Sequence, residues 1–397
     1  MKWRKYTVIE KYLEVTGILA TFILFISFYF QSWLMFFLAI VLLILIYINS
    51  FYLKHIGKRL HFKNMKERSK YFPEDIGSWI LQFENEGLPI MKGKLTVIFD
   101  DIVVPMEGVA KPHFSKYEVA IPLSMNFRQK KIIKLPFTAQ KRGVAKIWSV
   151  QIHIPHFFGL GETILEYQNF IMQEAIVYPS PITVKNLNSI LSNRTGNALI
   201  THSLNEDPFS PMGTRDYVYT DSFNRINWKA SARMLSLQTK VYERVAESGW
   251  TLSLNIANGH SVFSQLEELL SSAAEVAYFS NKHDIPLSLC INVGRADSIP
   301  FYYLPAGTGK EQLQKVLETL AMVKANSYTI PYEKMLSYYN RHLTAQPYFI
   351  HGGHRTDREE RGFQELSQKG VQLLELQVTN IEAVLVNMVM MKEVVGK

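Results

Sequence analysis

From Val15 to Leu53 the sequence runs thirty-nine residues without a charge, and nothing else narrows the possible folds of the chain as much. A single helix of that length would extend about 58 Å, nearly twice a hydrocarbon core of about 30 Å. Two crossings suit the length, at roughly 13–30 and 33–53, with Gln31-Ser32 as a tight polar turn. Tyr29, Trp33, Tyr47 and Tyr52 are the aromatic anchors expected at the two interfaces. A cleaved signal peptide is disfavoured, because the run is too long, lacks a small-x-small cleavage site and is followed at once by a second span.

Charge distribution orients this segment. Residues 1–70 carry eleven Lys/Arg against Glu10, Glu14 and Glu67, which accounts for the whole net charge of +8. Lys2, Arg4, Lys5 and Lys11 precede the first span, and Lys54, Lys58, Arg59, Lys63, Lys66, Arg68 and Lys70 follow the second. Both flanks are basic and the turn is uncharged, so the positive-inside rule predicts a multi-pass plasma-membrane protein with both termini cytoplasmic. The basic flanks also suit anionic membrane lipid. Beyond residue 70 acids and bases balance, which leaves no cationic excess for nucleic acid. Cys290 is the only cysteine, so an intramolecular disulfide and a thiolate zinc site are both excluded.

Residues 71–205 read as an antiparallel β-sandwich. Short apolar or alternating runs at 79–83, 94–99, 117–122, 131–137, 148–154 and 175–178 are separated by turn residues. From residue 249 the rhythm changes to alternating strand and helix, which predicts a doubly wound α/β domain over 249–397. Its clearest helix is 262–282, with Leu266, Leu269, Leu270, Ala273 and Ala277 spaced as one buried face. Residues 381–395 are apolar on much of their surface but too short and interrupted for a third span. The fold class expected is therefore multi-domain α+β: a two-helix transmembrane hairpin over 1–70, a β-sandwich, a linking segment over 206–248, and the α/β domain.

That linking segment holds the strongest motif: Arg215, Tyr217, Asp221, then Arg225-Ile226-Asn227-Trp228-Lys229-Ala230-Ser231-Ala232-Arg233, then Lys240-Val241-Tyr242-Glu243. It resembles the signature of domain-of-unknown-function family 58, bacterial membrane proteins with a von Willebrand factor A-like domain. Arg215, Tyr217, Asp221, Arg225, Ile226, Trp228, Ser231, Ala232, Arg233, Lys240, Tyr242 and Glu243 match that pattern. Lys141-Arg142-Gly143, the stretch His156 to Leu160 and Val177-Tyr178-Pro179 resemble the run-up to it. Thr220 stands where the pattern has glycine, and Asn227 where it has aspartate. The resemblance implies a von Willebrand A-like fold for the α/β domain. It also implies association with MoxR-type AAA ATPases and transglutaminase-like membrane proteins, in assembly or chaperone-like work.

Each candidate site has a plainer reading. A metal-binding von Willebrand domain has Asp-x-Ser-x-Ser after its first strand; here the positions are Asn255, Ala257 and Gly259, which offer a hard cation little. Gly307-Thr308-Gly309-Lys310 lacks the flanking residues of a phosphate loop and reads as a helix entry. His351, His354 and Asp357 form a His-x-x-His loop after a strand, a candidate for a metal-dependent enzyme and also an ordinary polar loop. The Arg/Asp/Tyr/Trp motif reads either as an interaction surface or as a hydrogen-bonded clamp between domains. The expectation is a membrane-anchored, non-enzymatic interaction or assembly module without cofactor, with the metal-dependent enzyme as the alternative.

Overall fold

The computed structural model describes residues 3–9, 11–155, 161–189, 206–244, 249–258, 261–379 and 382–388. The chain divides into two units, Met1–Ser180 and Pro181–Lys397. The sequence reading ran the β part to residue 205. Residues from Pro181 fall in the second unit, where a short strand at Val184–Lys185 pairs beside Ala383–Val384.

In the first unit the uncharged run forms helices α1 (Lys11–Tyr29) and α2 (Trp33–His55). Gln31, in the left-handed region at φ 51°, turns the chain between them. Among the described residues, those buried along this pair are small or polar (Ala20, Ser27, Ala39 and Asn49), apart from Leu53 at the foot of α2. Large apolar side chains such as Phe22, Phe25, Phe37 and Ile48 point outward. By length and composition α2 is long and apolar enough to cross a membrane, whereas the apolar stretch Val15–Tyr29 of α1 is shorter.

Residues read from sequence only as a basic flank form strand β1 (Trp3–Ile9). Eleven strands follow α2: β2 (Leu60–Lys63), β3 (Glu67–Tyr71), β4 (Ile76–Asn85), β5 (Ile90–Asp100), β6 (Val103–Pro105), β7 (Val109–His113), β8 (Lys116–Met125), β9 (Gln129–Ala139), β10 (Gly143–Pro155), β11 (Gly161–Tyr167) and β12 (Gln173–Val177). One sheet has the order β1-β11-β10-β5-β8-β7, with β12 beside β10 and β3 beyond it; the other has the order β2-β4-β9-β6. Every pairing is antiparallel except β3 with β12. Alternate residues of both sheets meet in one core, including Trp79, Leu81 and Phe83 of β4, Val97 and Phe99 of β5, and Phe137 of β9. Each of these aromatic side chains stabilises the unit by about 2 kcal/mol through burial. Leu53 and Ile56, at the foot of α2, belong to the same core. The Lys5 ammonium of β1 donates to the carbonyls of Leu53 and Ile56, satisfying the end of that helix.

The second unit contains β13 (Val184–Lys185), β14 (Glu206–Asp216), α3 (Trp228–Met234), β15 (Gln238–Arg244), β16 (Trp250–Asn255), β17 (Ala257–Asn258), β18 (Ser261–Val262), α4 (Leu266–Lys282), β19 (Leu287–Gly294), β20 (Phe301–Gly307), α5 (Gly309–Met322), α6 (Tyr332–His342), β21 (Tyr348–Gly353), α7 (Glu360–Gln368), β22 (Gln372–Val378) and β23 (Ala383–Asn387). Seven strands make one sheet in the order β13-β23-β22-β21-β16-β19-β20. Strands β19, β16, β21 and β22 are parallel, while β20 and β23 run antiparallel to their neighbours β19 and β22. Helices cover both faces, so β16 is buried along its whole length. Trp250 stacks on Phe279 of α4 at 5.8 Å, whereas Thr251 and Ser253 on the opposite face bond to Tyr339 and Tyr332 of α6. In α4 the predicted stripe Leu266, Leu269, Leu270, Ala273 and Ala277 is buried. Strands β14 and β15 form a separate two-stranded ladder with α3 between them in sequence.

Candidate functional site

The β14–α3–β15 module brings two of the signature residues, Arg215 and Tyr217, onto a third, Asp221. Arg215 donates to Asp221 Oδ1 at 2.6 Å, while the Val218 N–H and the Thr239 hydroxyl donate to Oδ2 at 3.1 Å each. The Arg215 guanidinium and then the Val218 N–H hold the Asp221 carboxyl below its ordinary pKa. Tyr217 donates its hydroxyl to the Asp221 carbonyl at 3.3 Å. Together these bonds fix the turn that carries Val218, Tyr219 and Thr220.

A second set of bonds fixes α3. The Asn227 side chain accepts from the Ala230 N–H at 3.2 Å, capping the helix. Aspartate would cap the helix equally well. Buried Ser231 donates to the Asn227 carbonyl and accepts from the Gln238 N–H, both at 2.9 Å. Gln238 in turn donates to Asp216 at 2.6 Å. Leu235, at φ 52°, ends the helix in the left-handed region.

This frame presents several large apolar side chains outward. Trp228 is 61% exposed, Phe223 67%, Tyr219 89% and Leu235 94%, and Met234 and Leu237 are exposed as well. Phe223 and Trp228 lie 6.2 Å apart, with Tyr217 beyond Phe223 at 6.5 Å. Arg225, Lys229 and Arg233 are also exposed, and Lys240 is half-buried. The Tyr242 and Glu243 side chains lie outside the described residues, as do residues 203–205 and 156–160. Sequence reasoning missed Tyr219, Phe223, Leu235, Gln238 and Thr239. The first three carried a legible signal, apolar residues inside a polar loop; the last two carried none.

The carboxyl ends of β16 and β21 form the point where strand order reverses, the usual ligand crevice of an open α/β sheet. Here amides close it. Asn255 donates to the His354 carbonyl at 2.7 Å and accepts from the Ala257 N–H at 3.1 Å and from Asn292 at 2.8 Å. Asn292 also accepts from the Ile256 N–H at 2.9 Å and donates to the Ile330 carbonyl at 3.2 Å. A Cβ on Gly353 would lie 2.0 Å from the Asn255 carbonyl oxygen, so the two strand ends touch. Asn255 and Asn292 together hold the loops; Ala257 is half-buried and Gly259 lies outside the described residues.

His351 points from β21 into the α6 face and is fully buried. Its Nδ1 lies 2.9 Å from the Tyr332 hydroxyl, which is 2.7 Å from Ser253 Oγ. Burial, then the Arg355 and His354 charges, push the imidazole pKa down to about 3, so the ring is neutral. His354 is half-buried and Asp357 exposed. Among the described residues no group of three or more His, Cys, Asp or Glu could hold a metal ion. Gly307 to Lys310 ends β20 and enters α5 with Thr308 as N-cap, and Gln312 fills the space beside Gly307. Cys290 is buried, and burial pushes its thiol pKa up, so it is unreactive.

No family model matches the chain, and no curated protein matches it. Among solved structures, the CARDB domain of a Pyrococcus furiosus protein, in complex with di-metal ions, is similar over 30% of this chain and 89% of its own. The identity is 9% and the TM-score 0.18, a likeness that carries no argument about this chain.

Proposed function

We propose that the protein is a membrane-anchored, non-enzymatic interaction module whose β14–α3–β15 surface docks a protein partner. The observation that carries this reading is the exposure of Tyr219, Phe223, Trp228 and Leu235 on a backbone fixed by the Asp221 and Ser231 bonds. Solvent-facing Trp and Tyr beside Arg are the composition of interface anchors, and a preformed surface lowers the entropy lost on binding. The resemblance of this segment to domain-of-unknown-function family 58 makes a MoxR-type AAA ATPase or cell-envelope machinery the candidate partner. The strand order β20-β19-β16-β21-β22-β23 supports a von Willebrand A-like reading of the sheet, and the amides at its reversal point favour a form without metal.

Anchoring through two spans rests on connectivity. Strand β1 precedes the helices and β2 follows them, and both belong to the first unit. Flanks that fold together lie on one side of a membrane, so a crossing by α2 requires a return by α1. Nineteen residues of α1 extend about 28 Å, of which the apolar stretch Val15–Tyr29 supplies about 22 Å, with Lys11 and Glu14 at the membrane surface. The basic flanks favour the cytoplasm for that side.

A photo-crosslinking amino acid in place of Trp228, activated in intact cells, tests the function. The expected product is a discrete adduct with a second protein, lost when the Asp221→Ala change loosens the turn. Recovery of this chain alone, after detergent extraction under the same conditions, would overturn the reading. Topology is checked with introduced cysteines, because the buried Cys290 leaves the folded chain unlabelled: Ser32→Cys is expected to label from outside and Lys130→Cys only after lysis.

A further inference from the structure

At the foot of α2 a cavity of about 500 Å³ is lined by Phe51, His55, Lys58, Arg59, Leu88 and Phe127, among others. It begins where the uncharged run ends and the first cations appear. Its walls are built rather than accidental. Asn85, 1% exposed, accepts from the Gly87 N–H at 3.1 Å and donates to the carbonyls of Leu88 at 3.0 Å and Asn126 at 3.2 Å, tying both rims together. Tyr52 donates to the Pro89 carbonyl at 2.7 Å, fastening the same rim to α2. Gly57, at φ 79°, turns the chain out of the helix; a Cβ there would lie 2.4 Å from Leu165, so the turn that presents Lys58 and Arg59 requires glycine.

The charges in this cavity are not balanced internally. Glu86 lines it but lies 3.9 Å from His61, and no ion pair joins it to Lys58 or Arg59 among the described residues. Lys5 lies close enough to Lys58 that repulsion, after burial, lowers the Lys5 pKa. The apolar wall differs in kind: Phe51 and Phe127 are each at least half exposed, and Phe51 stacks on His55 at 4.2 Å. An ion that is anionic at one end and apolar at the other meets both halves.

We propose that this cavity binds the phosphodiester of an anionic phospholipid, with Lys58 and Arg59 pairing with the phosphate and Phe51, Leu88 and Phe127 covering the glycerol and first methylenes. The site rests on the reading that α2 crosses lipid, and all its lining residues belong to the first unit. Basic pockets at the cytoplasmic ends of spans bind such headgroups, and each cation there contributes roughly a fivefold gain in affinity.

The test uses the full chain in detergent, titrated with dioctanoyl phosphatidylglycerol, dioctanoyl phosphatidylcholine and inorganic phosphate, with binding read by isothermal calorimetry. The anionic lipid is expected to bind at least tenfold tighter than the zwitterionic one. The double change Lys58→Gln with Arg59→Gln is expected to weaken it on the order of twentyfold at unaltered unfolding temperature. Phe127→Ala is expected to weaken the lipid several-fold and leave phosphate unaffected. Equal affinity for both lipids would overturn the site, and phosphate binding as tightly as the anionic lipid would assign the cavity to a soluble anion and overturn the lipid. Carbonate extraction of membranes separates the premise from the site. A chain that stays in the pellet yet shows no headgroup preference refutes the pocket alone, and one released into the supernatant refutes the membrane reading itself.

Discussion

The carboxyl edge of the seven-stranded sheet and the β14–α3–β15 module break the usual rule of burial in opposite directions. At the edge, Asn255, Asn292 and His351 are polar and buried; on the module, Trp228, Phe223 and Leu235 are apolar and exposed. The difference teaches where stability and recognition reside. A buried amide is tolerated because its partners are all supplied, so its role is to hold loops. An exposed aromatic group on a fixed frame gains nothing until something covers it.

The largest expected effect tests the first half of that contrast. Asn292→Ala leaves the Ile256 N–H, the Ile330 carbonyl and the Asn255 side chain short of a partner in a dry setting. The cost is expected to be about 3 kcal/mol, measured by denaturant unfolding in detergent. A loss of under about 0.5 kcal/mol would show that water reaches the crevice and that the site is open.

Next comes pH. The folded His351 pKa of about 3 lies below the 6.5 of a free imidazole, so between those values the unfolded chain holds the extra proton. Stability is therefore complete above about pH 6.5 and falls on acidification toward pH 3. His351→Gln removes the titration, and the slope of the unfolding temperature against pH is expected to flatten. An unchanged slope would mean that the ring is reached by solvent or paired with an acid.

Smaller effects belong to the module. Asn227→Ala removes the cap of α3 and is expected to cost about 1 kcal/mol in the same unfolding measurement, whereas Asn227→Asp is expected to be neutral. Trp228→Ala is expected to change stability by about 0.5 kcal/mol or less while abolishing partner capture. A large loss of stability on Trp228→Ala would sharpen the comparison the other way, making the module a buried clamp between domains.

Local periodicity made part of this legible. The stripe of α4 was spaced at three and four residues, and the alternating runs of the first unit could be placed as strands. Strand β1 was hidden because Arg4 and Lys5 also serve as a basic flank, and one residue type answers to two physical roles. The pairing of Asn255 with Asn292 depends on a crossover that brings β16 beside β19, which no local pattern encodes. The motif over 215–243 could be located but not oriented, since interleaved charge and aromatic residues suggest a buried network more readily than a surface. Its carboxylate proved a bracket for the backbone, and its Trp faces solvent.

The pairing of β1 with β11 carries one more consequence. Trp3 is synthesised long before its partner Tyr167, so the edge of that sheet stays open until nearly all of the first unit has left the ribosome. Helices α1 and α2 are synthesised in between. Closure of the sheet is then a late, long-range event that ties the chain on both sides of the two helices, and it is slow for the reason that all distant pairings are slow.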